Sequence, residues 1–328
     1  MEKRMRNYRD LLGRIGTSLL ILLLLFYVLM FLLEYLVAPL LYRVMYHVTA
    51  DIVYYLLQTV VYMACFMLPV FFFKRISRRS TPPVRPMSVS PRMPKTLWLY
   101  IVAGVGVTQV FAVVNSMAVR WALPDPAVYY FRQPLYIYAL EWFSTALAPA
   151  FCEEFLFRGM VDNQLEPYGK TSAIVISSVL FGLMHSNASQ LLYATMAGLI
   201  MAYVYQVTGS IFASGAIHLF NNTLAVLDTV FLSEFHETTA FRLLFITYLV
   251  IFVAGFMAIL WLIKVQKRRE EEREEAVSAG FYQKEYPLAP DACLYPIKTS
   301  DRVRMLLSTP QLWVFFVCCV LYASLRFF

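Results

Sequence analysis

The sequence predicts an all-α, polytopic integral membrane protein with about eight to nine transmembrane helices and a polar chamber inside the membrane. Hydrophobic residues make up 60% of the chain and charged residues 15%, whereas a soluble domain averages about 45–50% apolar and about 25% charged residues. The apolar residues gather in runs of about 20, the length that crosses a bilayer as a helix. Three of these runs also carry ionisable or amide side chains, which are costly in hydrocarbon and usually mark a function.

Nine apolar runs are the predicted spans. In chain order they cover residues 16–41, 51–73, 97–118, 136–158, 171–186, 189–207, 210–233, 241–263 and 312–328. Pro149 lies inside the fourth run, where it removes one helix hydrogen bond and predicts a kink just before residue 153. In the sixth run, Ala194, Gly198 and Ala202 recur at every fourth position, which predicts close packing against another helix.

Positive charge is distributed unevenly over the connecting segments. Of the 28 Lys and Arg residues, 23 fall in segments 1–14, 74–95, 158–170 and 264–304, and five fall elsewhere. Because cytoplasmic segments are enriched in these residues, we predict a cytoplasmic N-terminus in the cell membrane. The net charge of +7 is explained by this orientation, so no nucleic-acid partner is expected. The first run is too long for a signal peptide and lacks a small-residue cleavage site, so none is expected.

The same pattern divides the chain into segments. They are a basic N-terminal segment with three spans (1–120), a core (136–263), a charged cytoplasmic segment (264–310) and a short last span (311–328). The run at 267–275 places opposite charges three and four residues apart, which predicts that the eighth helix continues into water. Residues 280–310 are predicted to form a loop.

Two adjacent glutamates and an arginine end the fourth run, near its predicted cytoplasmic end. Glu154 and Arg158 are four residues apart, so on a helix they share a face and can pair. Glu153 projects about 100° away. Partly desolvated and beside a second negative charge, Glu153 is suited to act as a general base. Alone, this pattern also fits a group of polar side chains that reach out of the membrane at a helix end.

The fifth and seventh runs carry histidines. His185 ends the fifth run, while His218 and Asn222 share one face of the seventh, where imidazole and carboxamide can hold a water, an oxyanion or a metal. Each motif alone also fits ordinary packing between helices. The other two histidines, His47 and His236, lie in predicted outer segments. Both remaining histidines therefore lie on membrane helices that follow the glutamates, and this order favours a hydrolytic or metal site.

The ordered set EExxxR at 153–158, FxxxH at 181–185 and HxxxN at 218–222 resembles the CPBP family. This family, also called Abi, contains CAAX-type prenyl endopeptidases and bacteriocin-processing or immunity-associated intramembrane proteases. The resemblance covers about residues 136–240. It implies an all-helical membrane fold whose polar chamber opens toward the cytoplasmic side. It also implies an endopeptidase acting near the cytoplasmic face on membrane-embedded or membrane-associated, including lipidated, proteins or peptides.

The resemblance also implies roles for the motif residues. Glu153 and His185 would activate the attacking water. His218 and Asn222 would line the chamber and stabilise the oxyanion. Whether the reaction uses a metal stays open at this point, because both mechanisms can be built from these residue types.

A single zinc ion could be held by Glu153, His185 and His218 with one position left open. Each ligating histidine would then need a second acceptor for its other ring nitrogen. Glu154, a supporting residue by resemblance, is expected to be used up by its pair with Arg158. Because this leaves no spare carboxylate, the sequence favours a mechanism without a cofactor over one with zinc.

Three other functions are weighed on the same residues. Ser214-Gly215 lies near a histidine, as in rhomboid serine proteases, but Phe212 stands where their GxSG motif needs glycine. A transporter could use the acids and histidines as a proton relay, although the chain shows no repeated half. A membrane scaffold or bacteriocin-immunity protein could keep the fold without catalysis. The ordered motifs favour the peptidase over all three.

Overall fold

A computed structural model describes residues 2–77, 96–122, 130–278 and 297–325, and these form helices joined by short connections. The all-α class is thereby confirmed. The helices are α1 (Glu2–Leu32), α2 (Ala38–Val44), α3 (His47–Ile76), α4 (Leu97–Ala122), α5 (Leu135–Glu141), α6 (Ala148–Leu156), α7 (Asn163–Leu165), α8 (Lys170–Met184), α9 (Ala188–Thr208), α10 (Ile211–Glu234), α11 (Glu237–Ser278), α12 (Thr299–Leu307) and α13 (Pro310–Leu325).

The chain is a multi-pass membrane protein. Within the described residues, six helical stretches are long and apolar enough to cross a bilayer; α12 and α13, bent by 61°, would make a seventh if they form one span. The sequence predicted about eight to nine. The difference lies in the fourth and fifth predicted spans, because α8 has only 15 residues and the fourth span is interrupted.

The interruptions of the fourth span surround the glutamates. Two π-helical segments, Trp142–Leu147 and Phe157–Asp162, lie on either side of α6. Pro149 falls in the first turn of α6, directly after the first π-helical segment, so the predicted irregularity is found where the proline removes a backbone donor. Such π-helical turns are frequent at functional sites.

Small residues let α8 and α9 approach closely. Ala194, Gly198 and Ala202 on α9 are buried, and a Cβ added to Gly198 would lie 3.1 Å from the Cβ of Ser178 on α8. The predicted small-residue stripe is therefore a helix-packing surface, as expected for close contacts inside a membrane.

The N-terminal helices pack onto the rest of the protein. α1 contacts α3 and α13, and α3 contacts α6. The face of α1 that makes these contacts is apolar and fully buried at Leu12, Ile15, Leu19 and Leu22. This packing brings α3 against the helix that carries the glutamates.

The charged segment after the core is partly helical. α11 continues to Ser278, with an Arg268–Glu272 ion pair of 2.9 Å, as the charge spacing predicted. The prediction of a loop over 280–310 is wrong for α12, because Arg302 is buried and donates to the Tyr168 carbonyl at 2.7 Å. This tertiary contact stabilises a short helix that the local sequence does not favour.

Candidate active site

A polar cavity of about 440 Å³ lies between α1, α3, the broken fourth span, α10 and the end of α8. Four of the six predicted site residues line it, namely Glu153, His185, His218 and Asn222. The other two, Glu154 and Arg158, are almost completely buried, with exposed fractions of 1% and 0%. The structure thus brings the three sequence motifs together in one place, while the catalytic role of each residue stays a prediction.

Glu153 lines the cavity, and its two carboxylate oxygens have different contacts. Its Oε1 accepts a hydrogen bond from the Tyr62 hydroxyl of α3. Its Oε2 is buried without a hydrogen-bond partner among the described residues and lies 3.9 Å from His218 Nε2. Buried polar atoms are normally hydrogen-bonded, so this oxygen is available to a water or a substrate.

Glu154 lies behind His218 and bridges it to Arg158. Its Oε2 is 3.1 Å from Arg158 Nε, and its Oε1 is 3.2 Å from His218 Nδ1. The predicted Glu154–Arg158 pair is present, but the expectation that this pair would use up the carboxylate is wrong, because its second oxygen reaches the imidazole. Glu154 therefore fixes the ring of His218 with Nε2 toward Glu153.

Arg158 and Phe181 pack against the side chains of Glu154, His185 and His218. Arg158 Nη2 donates to the Gly198 carbonyl at 3.0 Å, and its guanidinium lies 4.9 Å from the centre of the Phe181 ring. The same ring packs edge-to-face against His185 at 4.9 Å and His218 at 5.7 Å. The phenylalanine of FxxxH thus holds both histidines and stacks on the buried cation.

His185 follows the last residue of α8. Its Nδ1 lies 2.9 Å from the Phe181 carbonyl, which is a hydrogen-bond acceptor, so Nδ1 carries the proton in this contact. The neutral ring then has its lone pair on Nε2, available to accept a hydrogen bond in the cavity.

Asn222 is oriented by the irregular backbone of the fourth span. Its Nδ2 donates to the Thr145 carbonyl at 3.1 Å. In a regular α-helix that carbonyl would accept from the backbone N–H four residues later, which is at Pro149, and proline has none. The Thr145 carbonyl therefore lacks its usual helix donor, and Asn222 of the HxxxN motif donates to it instead.

The candidate zinc ligands do not fit a metal site as they are arranged. Among the described residues, no group of three or more His, Cys, Asp or Glu side chains is placed to hold a metal ion. The expectation that no carboxylate would be left to accept from the histidines is nevertheless wrong. Nδ1 of His185 contacts the Phe181 carbonyl, and Nδ1 of His218 contacts Glu154.

The cavity opens toward one end of the helices. Its lining continues from Glu153 back along the broken span to Glu141, and from His218 forward along α10 to Thr229; on α3 it includes Gln58. Since neighbouring helices alternate in direction, these residues lie toward the same end of the bundle. The direction matches the charge-poor segments of the sequence, not the basic ones.

A second cavity, which we call the vestibule, lies at that end and shares Glu141 and Thr229 with the first. It has a volume of about 600 Å³ and its wall includes Tyr42, Tyr54, Tyr55, Tyr130, Tyr136 and Tyr138. Tyr136 donates to Asp51 and Tyr138 donates to Glu234, both at 2.9 Å. These bonds join the ends of α3, α5 and α10 around the mouth of the cavity.

The vestibule revises one expectation from the sequence. The motifs were expected at the cytoplasmic ends of the fourth and fifth helices. This is wrong for His185, because α8 runs back from the end of the fourth span and His185 lies at its far end. With the cytoplasmic N-terminus predicted from the charge distribution, the vestibule would lie on the opposite side of the membrane.

Two further residues bear on the predictions. Ser214 is fully buried, and its hydroxyl donates to the Ile211 carbonyl at 3.0 Å, so it does not face the cavity as a nucleophile would. Tyr62 contacts Glu153 but was missed, because it is one of 22 tyrosines and lies in an apolar run without a motif.

Comparison with known proteins agrees with this site. Residues 135–224 match the family described as type II CAAX prenyl endopeptidase Rce1-like, and this stretch contains all six predicted site residues. This region is therefore similar to that family. It is also 37% identical over 78 residues to the putative membrane peptidase YdiL of Bacillus subtilis (strain 168). That match covers 23% of this chain and 31% of the relative, and no solved structure matches.

Proposed function

We propose that the chain is an intramembrane endopeptidase that hydrolyses peptide bonds of membrane-embedded or membrane-associated proteins, lipidated ones included, with a water activated by Glu153. The observation that carries the proposal is Glu153, which lines the cavity and whose buried Oε2 has no hydrogen-bond partner among the described residues and lies 3.9 Å from His218 Nε2. A carboxylate held beside an imidazole within a CAAX-protease region is suited to general-base hydrolysis.

In the proposed reaction each group has a role that its contacts support. Glu153 Oε2 takes a proton from the attacking water, while His185 Nε2 accepts the water's other hydrogen and orients it. The water oxygen then adds to the carbonyl carbon of the scissile peptide bond. Glu153 returns its proton to the leaving nitrogen as the carbon–nitrogen bond breaks, which yields a carboxylic acid and an amine.

The oxyanion needs donors on the other side of the carbonyl. A protonated His218 donates from Nδ1 to Glu154 and from Nε2 to the oxyanion. Asn222 Nδ2 carries two hydrogens, one of which serves the Thr145 carbonyl, so the second is available to the oxyanion. Glu154 and Arg158 act through His218 and do not touch the reacting atoms.

The substrate enters from the vestibule in this proposal. A peptide bond inside a membrane helix is already hydrogen-bonded and sterically closed, so the cleaved segment has to be extended or unwound. With a cytoplasmic N-terminus, the vestibule is the non-cytoplasmic mouth of the cavity. We therefore replace the cytoplasmic cleavage site expected from the sequence with one at the non-cytoplasmic edge of the substrate's hydrophobic segment.

The test is a comparison of protein termini in cells that make the wild-type chain, the Glu153→Gln variant or neither. We expect a set of new termini in membrane proteins that requires the wild-type chain and is absent with Glu153→Gln. Tyr248→Phe serves as the control and should give the wild-type set, because the Tyr248 hydroxyl donates to Asp228 at 2.7 Å and does not line the cavity. Identical termini in all strains would reject the peptidase in favour of a scaffold without catalysis.

A further inference from the structure

The cavity has a wall that lies outside the family region. Residues 135–224 match the family, yet Phe26 and Met30 of α1 and Gln58 and Tyr62 of α3 also line the cavity. The N-terminal helices therefore complete the site as well as anchoring the chain in the membrane.

Tyr62 is the residue of this wall that contacts the proposed base. Its hydroxyl donates to Glu153 Oε1. Its ring is held by two aromatic neighbours, stacked on Phe66 at 4.8 Å and 23° and edge-on to Phe26 at 5.9 Å and 81°. A ring packed in this way gives its hydroxyl a fixed position, so the tyrosine is a rigid donor.

The bond leaves the two oxygens of Glu153 in different states. Oε1 is fixed by Tyr62, whereas Oε2 is buried without a hydrogen-bond partner among the described residues and lies 3.9 Å from His218 Nε2. A glutamate side chain has several rotatable bonds. With contacts from the family region alone, Glu153 could turn its carboxylate away from the water. A donor on one oxygen removes that freedom and points the other at the reacting atoms.

We propose that Tyr62 is a positioning residue that sets the orientation of the Glu153 carboxylate, and that α1 and α3 supply this function to the family region. The inference rests on the proposed peptidase function, since it needs Glu153 to be the base. It deepens that function by assigning a role to a segment that the family match does not cover.

A purely structural role of the Tyr62 hydroxyl can be distinguished from a role in positioning Glu153. α3 also meets α6 through apolar packing, with Cys65, Phe66 and Cys152 all fully buried, so the hydroxyl alone adds little to the contact. Tyr248 offers a matched control, because its hydroxyl donates to Asp228 at 2.7 Å between α11 and α10, and neither residue lines the cavity. Both Tyr→Phe variants delete one tyrosine–carboxylate bond between membrane helices.

The experiment measures kcat, KM and the melting temperature of the purified chain in lipid nanodiscs, with a peptide that spans a cleavage site found in cells. Tyr62→Phe should lower kcat by up to about 100-fold, the size expected for a misplaced reacting group, with little change in KM or melting temperature. Tyr248→Phe should keep the wild-type kcat.

The outcomes separate the two proposals. If Glu153→Gln is inactive and Tyr62→Phe has the wild-type kcat, the positioning role is rejected while the peptidase stands. If both Tyr→Phe variants lose kcat equally, or if the loss follows the melting temperature, the hydroxyl is structural and the inference is again rejected. If Glu153→Gln keeps wild-type turnover, the peptidase mechanism fails and the role of Tyr62 fails with it.

Discussion

Adjacent residues at positions 153 and 154 have different surroundings. Glu153 lines the cavity and has one free oxygen, whereas Glu154 is enclosed by Arg158 and His218. The rotation of about 100° between neighbours on a helix is what separates them, and the sequence was sufficient to predict that separation. The additional contact of Glu154 with His218 was not predictable, because it depends on how α10 packs against α6.

Substitution should separate the two glutamates. Glu154→Gln leaves the buried Arg158 without its counter-charge and loosens His218, so it should cost about 3–5 kcal/mol of folding free energy as well as activity. Glu153→Gln keeps the shape and removes the base, so it should abolish turnover with little loss of stability. Chemical unfolding and turnover of both purified variants provide the measurement. Equal stability and equal residual activity would contradict the division.

Metal dependence is a second prediction for these residues. Because the described side chains do not gather three ligands, we expect turnover to survive exhaustive chelation. Elemental analysis of active protein, followed by assay after chelation, provides the measurement. The metal-free mechanism would be rejected by stoichiometric zinc whose removal stops turnover and whose return restores it.

The broken fourth span makes contacts with residues that are distant in the sequence. Pro149 predicted an irregular helix, and the irregularity was found. The sequence could not show that the freed Thr145 carbonyl is bonded by Asn222, since the two lie 77 residues apart. The contact of Tyr62 with Glu153 spans 91 residues and was missed for the same reason. Local periodicity predicts which face a residue occupies, whereas packing of distant helices decides which faces meet.

Pro149→Ala tests this element directly. The new N–H can bond the Thr145 carbonyl, so Asn222 loses its partner and its fixed orientation. We expect a lower kcat with an unchanged or higher melting temperature, because a helix hydrogen bond is gained. Pro69→Ala is the control, since Pro69 also lies inside a membrane helix but does not line the cavity. A wild-type kcat for Pro149→Ala would show that the proline does not act through Asn222.

At the scale of the whole molecule, the direction of the cavity depends on the orientation of the chain. With the cytoplasmic N-terminus that the charge distribution predicts, the lining residues lead the cavity to the non-cytoplasmic end. The sequence predicted this orientation, but the length and direction of α8 were needed to locate His185 at the end of α8 that is far from the end of the fourth span.

Labelling of single cysteines measures this orientation. Ser233 lies in the vestibule wall, and Cys293 lies in the basic segment beyond α11, outside the described residues. In a chain without other cysteines, Ser233→Cys should react with a membrane-impermeant thiol reagent in intact cells, and Cys293 only after permeabilisation. The reverse pattern would place the vestibule in the cytoplasm and restore a cytoplasmic cleavage site.

The central claim is that Glu153 activates the water that cleaves a peptide bond. The most direct measurement is turnover of a cleavage-site peptide by the purified chain in nanodiscs, as wild type, Glu153→Gln and Tyr248→Phe. A general base contributes about 10²–10⁴-fold, so Glu153→Gln should lose at least that factor while Tyr248→Phe keeps the wild-type rate. Wild-type turnover by Glu153→Gln, or an equal loss in both variants, would contradict the account.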